Sequence, residues 1–447
     1  MTGLEIGLAS ILLIVVLIYA GLYVGVALSL VSFAVVAVLR GDAMLAVNLL
    51  TLAAADGIAS QTFAVIPLFV LMGLIMSHSN VGRDAFDVAD FMLRRLPGGL
   101  GLATVASNTV FAAVTGVSIA SAAVFTRVAL PEMLRLGYSP RFAIGAIAGS
   151  SVLGMLIPPS VLLIIYAILA EESIGRMFFA GIGPGLILAS VYCVGIVGMA
   201  RLTPGFAYDR TGRFRDQGVS SSDASDLSLL DVIRKAAPIV ILVTVVLGGI
   251  YGGIFTPTEA GAVGALGAMV VAVLRRSLDL RAFWKVLLET GHITASVCFL
   301  IIAATMYSRA LGLAGVPVAV GGFFGGLSDQ LIVILLLYIL LILLLGTIID
   351  SVSILLIMVP LFLPIMAGFG VDPVWFGIIT IIAVEVGLLT PPLGMACFVI
   401  RGCIDDRRIT LGDIFAGALP FAGMMLVVLG LLLTWPHLVY IDRWFGF

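Results

Sequence analysis

The sequence of 447 residues contains few charges. Only 11% of its residues are Asp, Glu, Lys or Arg, whereas soluble globular domains carry about 25%. Apolar residues make up 62% of the chain, and the mean hydropathy is +1.25. These values exclude an ordinary soluble enzyme, a disordered chain and a nucleic-acid-binding protein. They predict a multi-spanning membrane protein whose apolar surface faces the lipid bilayer.

Lysine, cysteine and histidine are also scarce. The two lysines, Lys235 and Lys285, lie outside any G-x-x-x-x-G-K-[ST] motif, which argues against a P-loop ATPase. The four cysteines form no C-x-x-C pair, so each is predicted to act as a small apolar side chain. No two of the three histidines have metal or haem spacing. We therefore predict that the chain is not an enzyme and uses no cofactor.

No basic residue precedes Arg40. Because a secretory signal peptide carries positive charge ahead of its apolar stretch, we expect the first apolar stretch to be a retained membrane span. Apolar stretches of spanning length recur along the chain. They lie at 4–22, 23–39, 57–77, 141–170, 178–200, 236–252, 258–274, 291–309, 374–401 and 412–434.

Two longer apolar blocks, 98–135 and 330–368, are each interrupted near the middle by small or polar residues. The interruptions are Thr115-Gly116-Val117-Ser118 and the segment from Gly346 to Ser351. Irregular backbone at membrane depth is tolerated only inside protein or beside a cavity. Each block is therefore predicted to be a re-entrant helical hairpin, which enters the membrane and returns on the same side.

The chain contains an internal repeat. A shift of 233 positions carries Ser118 onto Ser351 and the pair Pro158-Pro159 onto Pro391-Pro392. Matched glycines and prolines predict matched bends, because these residues fix backbone shape. The other pairs in this register are Pro131 with Pro364, Gly137 with Gly370, Pro140 with Pro373 and Gly154 with Gly387.

The repeat divides the chain into two halves of opposite orientation. Each half has five net crossings, since a hairpin contributes none, so the second half enters the membrane from the opposite face. Inverted repeats are the usual build of secondary transporters. The predicted units are a first repeat at 1–200, a connecting loop at 201–235, a second repeat at 236–434 and a tail at 435–447.

The distribution of basic residues predicts the orientation. The crossing count puts 18 of the 23 basic residues on one side, which the positive-inside rule makes cytoplasmic. Both termini are then predicted to be periplasmic. The predicted fold is an all-α polytopic membrane protein with an inverted repeat, two re-entrant hairpins and two broken helices at 141–170 and 374–401.

Two segments, 83–94 and 278–289, mix charged and apolar residues at helical spacing. We predict that they are interfacial helices lying along the membrane surface. An ordinary solvated loop is the alternative.

Four backbone breaks have the chemistry of a cation site. Two are the hairpin tips, and two are the Pro-Pro breaks at 154–160 and 387–392. A Pro-Pro pair frees carbonyls of the preceding turn, and these need a partner in a dry environment. An alkali ion is one such partner, because unwound backbone and hydroxyls supply its oxygen ligands. A water molecule or a Ser/Thr hydroxyl is the alternative.

Three polar side chains lie beside these breaks. Asp350 could join a cation shell, compensate a bound ion or cap the helix that starts at Ser351. Glu385 could orient the hairpin or serve the ion site indirectly. Asn108 lies in the first hairpin and could bridge to its opposing arm.

Three stretches resemble the large membrane subunit of tripartite ATP-independent periplasmic (TRAP) transporters. They run from Ile157 to Gly185, from Gly248 to Ala260 and from Glu385 to Pro392. The resemblance implies sodium-driven secondary uptake of carboxylates, such as dicarboxylates, sialic acids and sugar acids, by an elevator mechanism. It also implies a periplasmic binding protein and a small four-span subunit in the bacterial inner membrane. We expect the unfused type, which needs that subunit as a separate chain.

The resemblance also implies site residues. Sodium site 1 would use Thr115, Gly116, Ser118, Gly154, Ile157 and Pro158. Sodium site 2 would use Gly346, Asp350, Ser351, Gly387, Thr390 and Pro391. The substrate would lie between the tips at Ser118, Ser121 and Ser353, with Asn108 and Glu385 in support. The family often has a Gly-Ser-Ser run at the first tip, so Val117 removes one hydroxyl here.

Two other functions are considered. A stand-alone sodium/dicarboxylate transporter of related two-hairpin architecture would need no binding protein. A subunit of a redox or channel complex would need haem-spaced histidines, a quinone site or a continuous polar stripe, and none is evident in the sequence.

Overall fold

The computed structural model of the protein describes residues 2–59, 61–209, 228–316, 319, 331–392 and 394–440. Within these ranges the regular structure is helical, apart from an isolated bridge between Tyr138 and Tyr208. The prediction of an all-α polytopic membrane protein is confirmed. Five helices are single spans by length and apolar composition: Ile174–Leu202, Pro257–Leu274, Leu280–Leu313, Ser351–Gly368 and Leu411–Thr434.

In residues 2–209 the helices are α1 (Gly3–Tyr19), α2 (Val24–Arg40), α3 (Ala43–Ala59), α4 (Val65–His78), α5 (Val81–Leu93), α6 (Gly99–Thr115), α7 (Ser118–Arg135), α8 (Pro140–Ser151), α9 (Leu153–Leu156), α10 (Val161–Leu169), α11 (Ile174–Leu202) and α12 (Pro204–Ala207). The helices that follow are α13 (Leu229–Tyr251), α14 (Pro257–Leu274), α15 (Leu280–Leu313), α16 (Leu331–Gly346), α17 (Ser351–Gly368), α18 (Pro373–Leu389), α19 (Met395–Gly402) and α20 (Leu411–Thr434). Short 3₁₀ turns lie at Gln61–Ala64 and Pro436–Val439.

Local sequence signals explain where many of these helices begin. A side-chain oxygen at the N-cap accepts a backbone N–H that the first helical turn leaves unpaired. Ser139, Ser160 and Asp372 do this for α8, α10 and α18. Reciprocal capping boxes are formed by Thr2 with Glu5, Ser228 with Asp231, Thr256 with Glu259 and Thr410 with Asp413.

The helix boundaries follow the register of the sequence repeat. The 233-residue shift carries the bounds of α7 onto those of α17, and the end of α9 at Leu156 onto the end of α18 at Leu389. The first broken helix bends by 42° between Pro140–Leu156 and Val161–Leu169. Both Pro-Pro bonds are cis. The two hairpins and the two broken helices therefore occur as matched pairs.

Two of the sequence predictions about helix boundaries are wrong. The stretch predicted as one span at 57–77 is divided, because α4 begins only at Val65 and a separate helix, α3, precedes it. The surface helix predicted at 278–289 and the span predicted at 291–309 form one continuous helix, α15, capped by Asp279. The other predicted surface segment, 83–94, is helical as α5 and bends by 64° from α4.

Ion pairs attach α5 to helices of the second repeat. Nζ of Lys235 in α13 lies 2.5 Å from Oδ2 of Asp87 and 3.9 Å from Oδ1 of Asp84. Arg275, the C-cap residue that follows α14, pairs with Asp84. We call these four residues the α5 ion cluster. They connect a helix of the first repeat with α13 and α14, which lie beyond the connecting loop.

Candidate functional site

The first hairpin tip lies directly against the first Pro-Pro break. Gly116 ends α6 with φ of +63°, and its carbonyl oxygen accepts the backbone N–H of Val161 at 3.3 Å. A Cβ atom at Gly116 would collide with the carbonyl oxygen of Pro159. A Cβ atom on Gly154 would lie 3.4 Å from the backbone nitrogen of Ser118. The sequence repeat thus places tip and break in backbone contact, which glycine permits.

Ser118 is the unsatisfied polar group at this contact. It is 2% exposed, and its hydroxyl has no hydrogen-bond partner among the described residues. The nearby hydroxyls of Thr115 and Ser160 donate to the carbonyl oxygens of Phe111, at 3.0 Å, and Met155, at 2.6 Å. An orphaned buried hydroxyl costs about 1–3 kcal/mol. An oxygen-liganded cation beside Ser118 would remove that cost, so the residues present fit the predicted sodium site 1.

A buried polar strut holds the first hairpin to the broken helix. Nδ2 of Asn108 in α6 donates to Oγ of Ser150 in α8 at 2.5 Å. The hydroxyl of Ser121 in α7 donates to Oδ1 of Asn108. Asn108 therefore bridges both hairpin arms and α8. The Ser121 hydroxyl, predicted to contact substrate, is fully buried in this strut.

The second hairpin tip meets the second break in the same way. Gly346 and Gly387 lie so close that a Cβ atom on either would be 2.7 Å from the Cα atom of the other. The backbone N–H of Gly394 donates to the carbonyl oxygen of Thr347 at 3.2 Å. The Thr390 hydroxyl donates to the carbonyl oxygen of Val386 at 2.7 Å. Of the predicted members of sodium site 2, Gly346 and Gly387 are thus in backbone contact.

Asp350 caps the helix that follows the second tip. Its Oδ2 accepts the backbone N–H of Ser353 at 3.1 Å, and its Oδ1 accepts the Ser353 hydroxyl at 2.5 Å. Of the three roles predicted for Asp350, the structure shows the helix cap. Both carboxylate oxygens of Asp350 accept hydrogen bonds from Ser353, which fixes the carboxylate beside the second tip.

A cavity of about 550 Å³ separates the second tip from α1, α2 and α15. Asp350 and Ser353 line it from the hairpin, and His292 and Ser296 line it from α15. Of the three predicted substrate residues, only Ser353 is among those that line this cavity. Sequence reasoning missed His292 and Ser296. Their spacing of one helical turn on a predicted membrane span is the signal that could have identified them.

Paired helical hairpins whose tips touch paired broken helices define the class to which this molecule belongs, the secondary membrane transporters of inverted-repeat build. The particular family follows from comparison with known proteins. Residues 11–438 match the family described as "Tripartite ATP-independent periplasmic transporter, DctM component". The chain belongs to this family. It is a transporter permease for organic acids and not an enzyme.

Curated relatives cover most of the chain. The large permease of the C4-dicarboxylate TRAP transporter of Pseudomonas aeruginosa is 33% identical over 387 residues, which are 86% of this chain and 87% of that protein. The sialic acid TRAP large permease of Vibrio cholerae is 30% identical over 422 residues, 94% of each chain. The ectoine TRAP large permease of Halomonas elongata is 31% identical over 395 residues, 87% of each chain.

A solved structure shares the fold. The YdaH transporter of Alcanivorax borkumensis, whose crystal structure is described as having an unusual topology, aligns with a TM-score of 0.54 and 15% sequence identity over 86% of each chain. At this identity the likeness concerns architecture alone.

Proposed function

We propose that the chain is the large permease of a TRAP transporter that couples uptake of a carboxylate-bearing organic acid to sodium ions. The observation that carries sodium coupling is the buried Ser118 hydroxyl, which lies without a partner where the first tip meets the first break. Hydroxyls and backbone carbonyls are the ligands that alkali ions find in discontinuous membrane helices. The matched contact of Gly346 with Gly387 supports a second ion at the other tip.

The substrate class rests on the relatives and on the cavity beside the second tip. The names of three of the relatives give C4-dicarboxylate, sialic acid and 2,3-diketo-L-gulonate as substrates, and each of these carries a carboxylate. In the cavity, His292 and Ser296 offer hydrogen-bond donors, whereas the Ser353 hydroxyl already donates to Asp350. The Asp350 carboxylate caps the positive end of α17, so substrate oxygens are expected to be held by these side chains and by a bound cation.

The partners follow from the family. A tripartite system implies a small membrane subunit of four spans and a periplasmic protein that delivers the substrate. We place the complex in the bacterial inner membrane, with both termini of this chain in the periplasm. No nucleic acid is involved.

Transport would proceed by an elevator motion. The two hairpins and the two broken helices (α6 to α10 and α16 to α19) form the moving domain. α1, α2, α13, α14 and the first half of α15 belong to the scaffold, with the small subunit beside them. The cavity lies between these two bodies, where a sliding motion would open and close it.

Uptake by the full complex in proteoliposomes tests sodium coupling. Ser118→Ala is expected to raise the sodium concentration at half-maximal uptake about tenfold, since an oxygen contact to a charged group contributes about 1.5–3 kcal/mol. Ser190→Ala in α11 is the matched control, because that exposed hydroxyl only bonds to the carbonyl oxygen of Leu186 in its own helix. An unchanged sodium dependence in Ser118→Ala would remove the first ion site.

The same preparation separates the two transporter types. Uptake that requires the cognate periplasmic binding protein supports the TRAP mechanism. Uptake of the same rate without that protein would support the stand-alone sodium/dicarboxylate transporter.

A further inference from the structure

The two hairpin tips carry equivalent serines in different surroundings. Ser118 and Ser351 are related by the repeat, and each is the first residue of the second arm of its hairpin. The Ser351 hydroxyl donates to Oε1 of Glu385 at 3.1 Å, whereas the Ser118 hydroxyl has no partner within the described residues. The cause lies in the sequence, because Val152 stands in the first repeat where Glu385 stands in the second. The two tips therefore differ by one carboxylate.

Glu385 is an unusual residue for its surroundings. It is 1% exposed, and every residue of α18 from Val374 to Leu389 is buried. In the part of the chain that the structure describes, no ion pair to Glu385 is found. The hydroxyl of Tyr192 in α11 is also buried and has no hydrogen-bond partner among the described residues. A buried carboxylate that lacks a countercharge is strongly disfavoured.

We propose that Glu385 is the positioning residue for the cation at the second tip and supplies its countercharge through Ser351. The Ser351 proton is committed to Glu385, so the lone pairs of the Ser351 oxygen are free to face a cation. A carboxylate behind the ligand raises its basicity, as partners behind metal ligands generally do. The inference rests on the sodium coupling proposed above.

The same comparison implies that the proposed cation site at the first tip has no charged side chain behind it. Ser118 offers a hydroxyl whose orientation no carboxylate fixes, and the strut formed by Asn108 reaches Ser121 and Ser150 instead. The attraction between a carboxylate and a cation falls only as the inverse of distance in a poorly solvated interior. The ion at the second tip is therefore the more tightly bound of the two.

The test is sodium-dependent thermal stabilisation of the purified protein, titrated with NaCl against choline chloride at constant ionic strength. Glu385→Gln keeps the side-chain length and an acceptor oxygen for Ser351 but removes the charge. It is expected to raise the sodium midpoint of the tighter binding step about tenfold. Ser351→Ala should raise the same midpoint, and the double variant should add little, because the two residues act as one unit.

Ser118→Ala is the matched control at the equivalent position of the other repeat. It should weaken the other binding step, and its effect should add to that of Glu385→Gln. An equal sodium midpoint in wild type and Glu385→Gln would overturn the inference, even if the variant melts at a lower temperature without sodium, since Glu385 would then be a structural strut. If Glu385→Gln does not fold, an unchanged midpoint in Ser351→Ala overturns it.

A different result would contradict the proposed function. A wild-type protein that sodium does not stabilise beyond choline would count against sodium coupling itself. If all three single variants responded to sodium as the wild type does, sodium coupling would stand. Only the assignment of these residues would then be wrong.

Discussion

At the scale of single residues, the closest contacts of the site are made by backbone and require glycine. Gly346 and Gly387 face each other where the second tip meets the second break. Their equivalents by the repeat are Ala113 and Gly154, so only one partner is glycine in the first half. In the first half, the backbone contact that excludes a methyl group is instead that of Gly116 with the carbonyl oxygen of Pro159.

Gly387→Ala is predicted to destabilise the second half of the site. The new Cβ atom would lie 2.7 Å from the Cα atom of Gly346, and neither atom belongs to a side chain that can rotate away. Overpacking of this kind costs about 1–3 kcal/mol. The measurement is the thermal denaturation midpoint in detergent, together with the sodium midpoint. Gly368→Ala at the end of α17 is the control, since nothing lies within 4 Å of its Cβ position.

The sequence identified the tips and breaks but could not assign every side chain at them. Asn108 was predicted to bridge the hairpin arms, and it does, because an amide in an apolar hairpin needs a partner. Ser121 was predicted to contact substrate but is buried against Asn108, which precedes it by 13 residues. A serine three residues past a tip has the same sequence signal whether it faces a cavity or the opposing arm, so only the packing distinguishes the two.

At the scale of helices, the hydrophobic pattern located the spans better than it located their ends. The breaks at Pro-Pro pairs were predictable because proline removes an N–H group and clashes with the preceding turn. The continuity of α15 was not predictable from the sequence. Gly291 lies within this helix, and a single glycine lowers helix stability only slightly, so the helix continues through it. The division of 57–77 was missed although the polar run Ser60-Gln61-Thr62 interrupts that stretch, because the run is short and no proline precedes Pro67.

The α5 ion cluster is predicted to anchor α5 to α13 and α14. Lys235→Met removes the cation that contacts Asp84 and Asp87, whose side chains are 16% and 13% exposed. The loss should cost about 1–3 kcal/mol, between the values for exposed and buried pairs. The check is the thermal denaturation midpoint at low and high salt. Lys285→Met, at the chain's other lysine, which is exposed and has no ion pair among the described residues, should leave it unchanged.

At the scale of the whole molecule, the repeat accounts for the architecture, and its two halves differ in the polar residues of the hairpins and breaks. A shift of 233 residues superimposes hairpin on hairpin and break on break, yet Glu385 and Asn108 have apolar equivalents, Val152 and Leu341. The fold could be predicted from the shared positions because glycine and proline fix bends. The cavity could not be predicted from the sequence, because it is lined by residues of α15 and by a hairpin tip about 50 residues further along the chain.

The proposed elevator motion predicts that a covalent link across this cavity arrests transport. In a variant whose four native cysteines are replaced, Leu22→Cys and Val352→Cys would place thiols on the scaffold and on the moving tip, and both positions line the cavity. A short cleavable thiol cross-linker should abolish uptake, and cleavage should restore it. Leu22→Cys with Ile293→Cys is the control, because both residues line the cavity from the scaffold side. Full uptake with the first pair linked would mean that the second tip does not slide against α1 and α2, and the transporter would then need a gating motion within the hairpins instead.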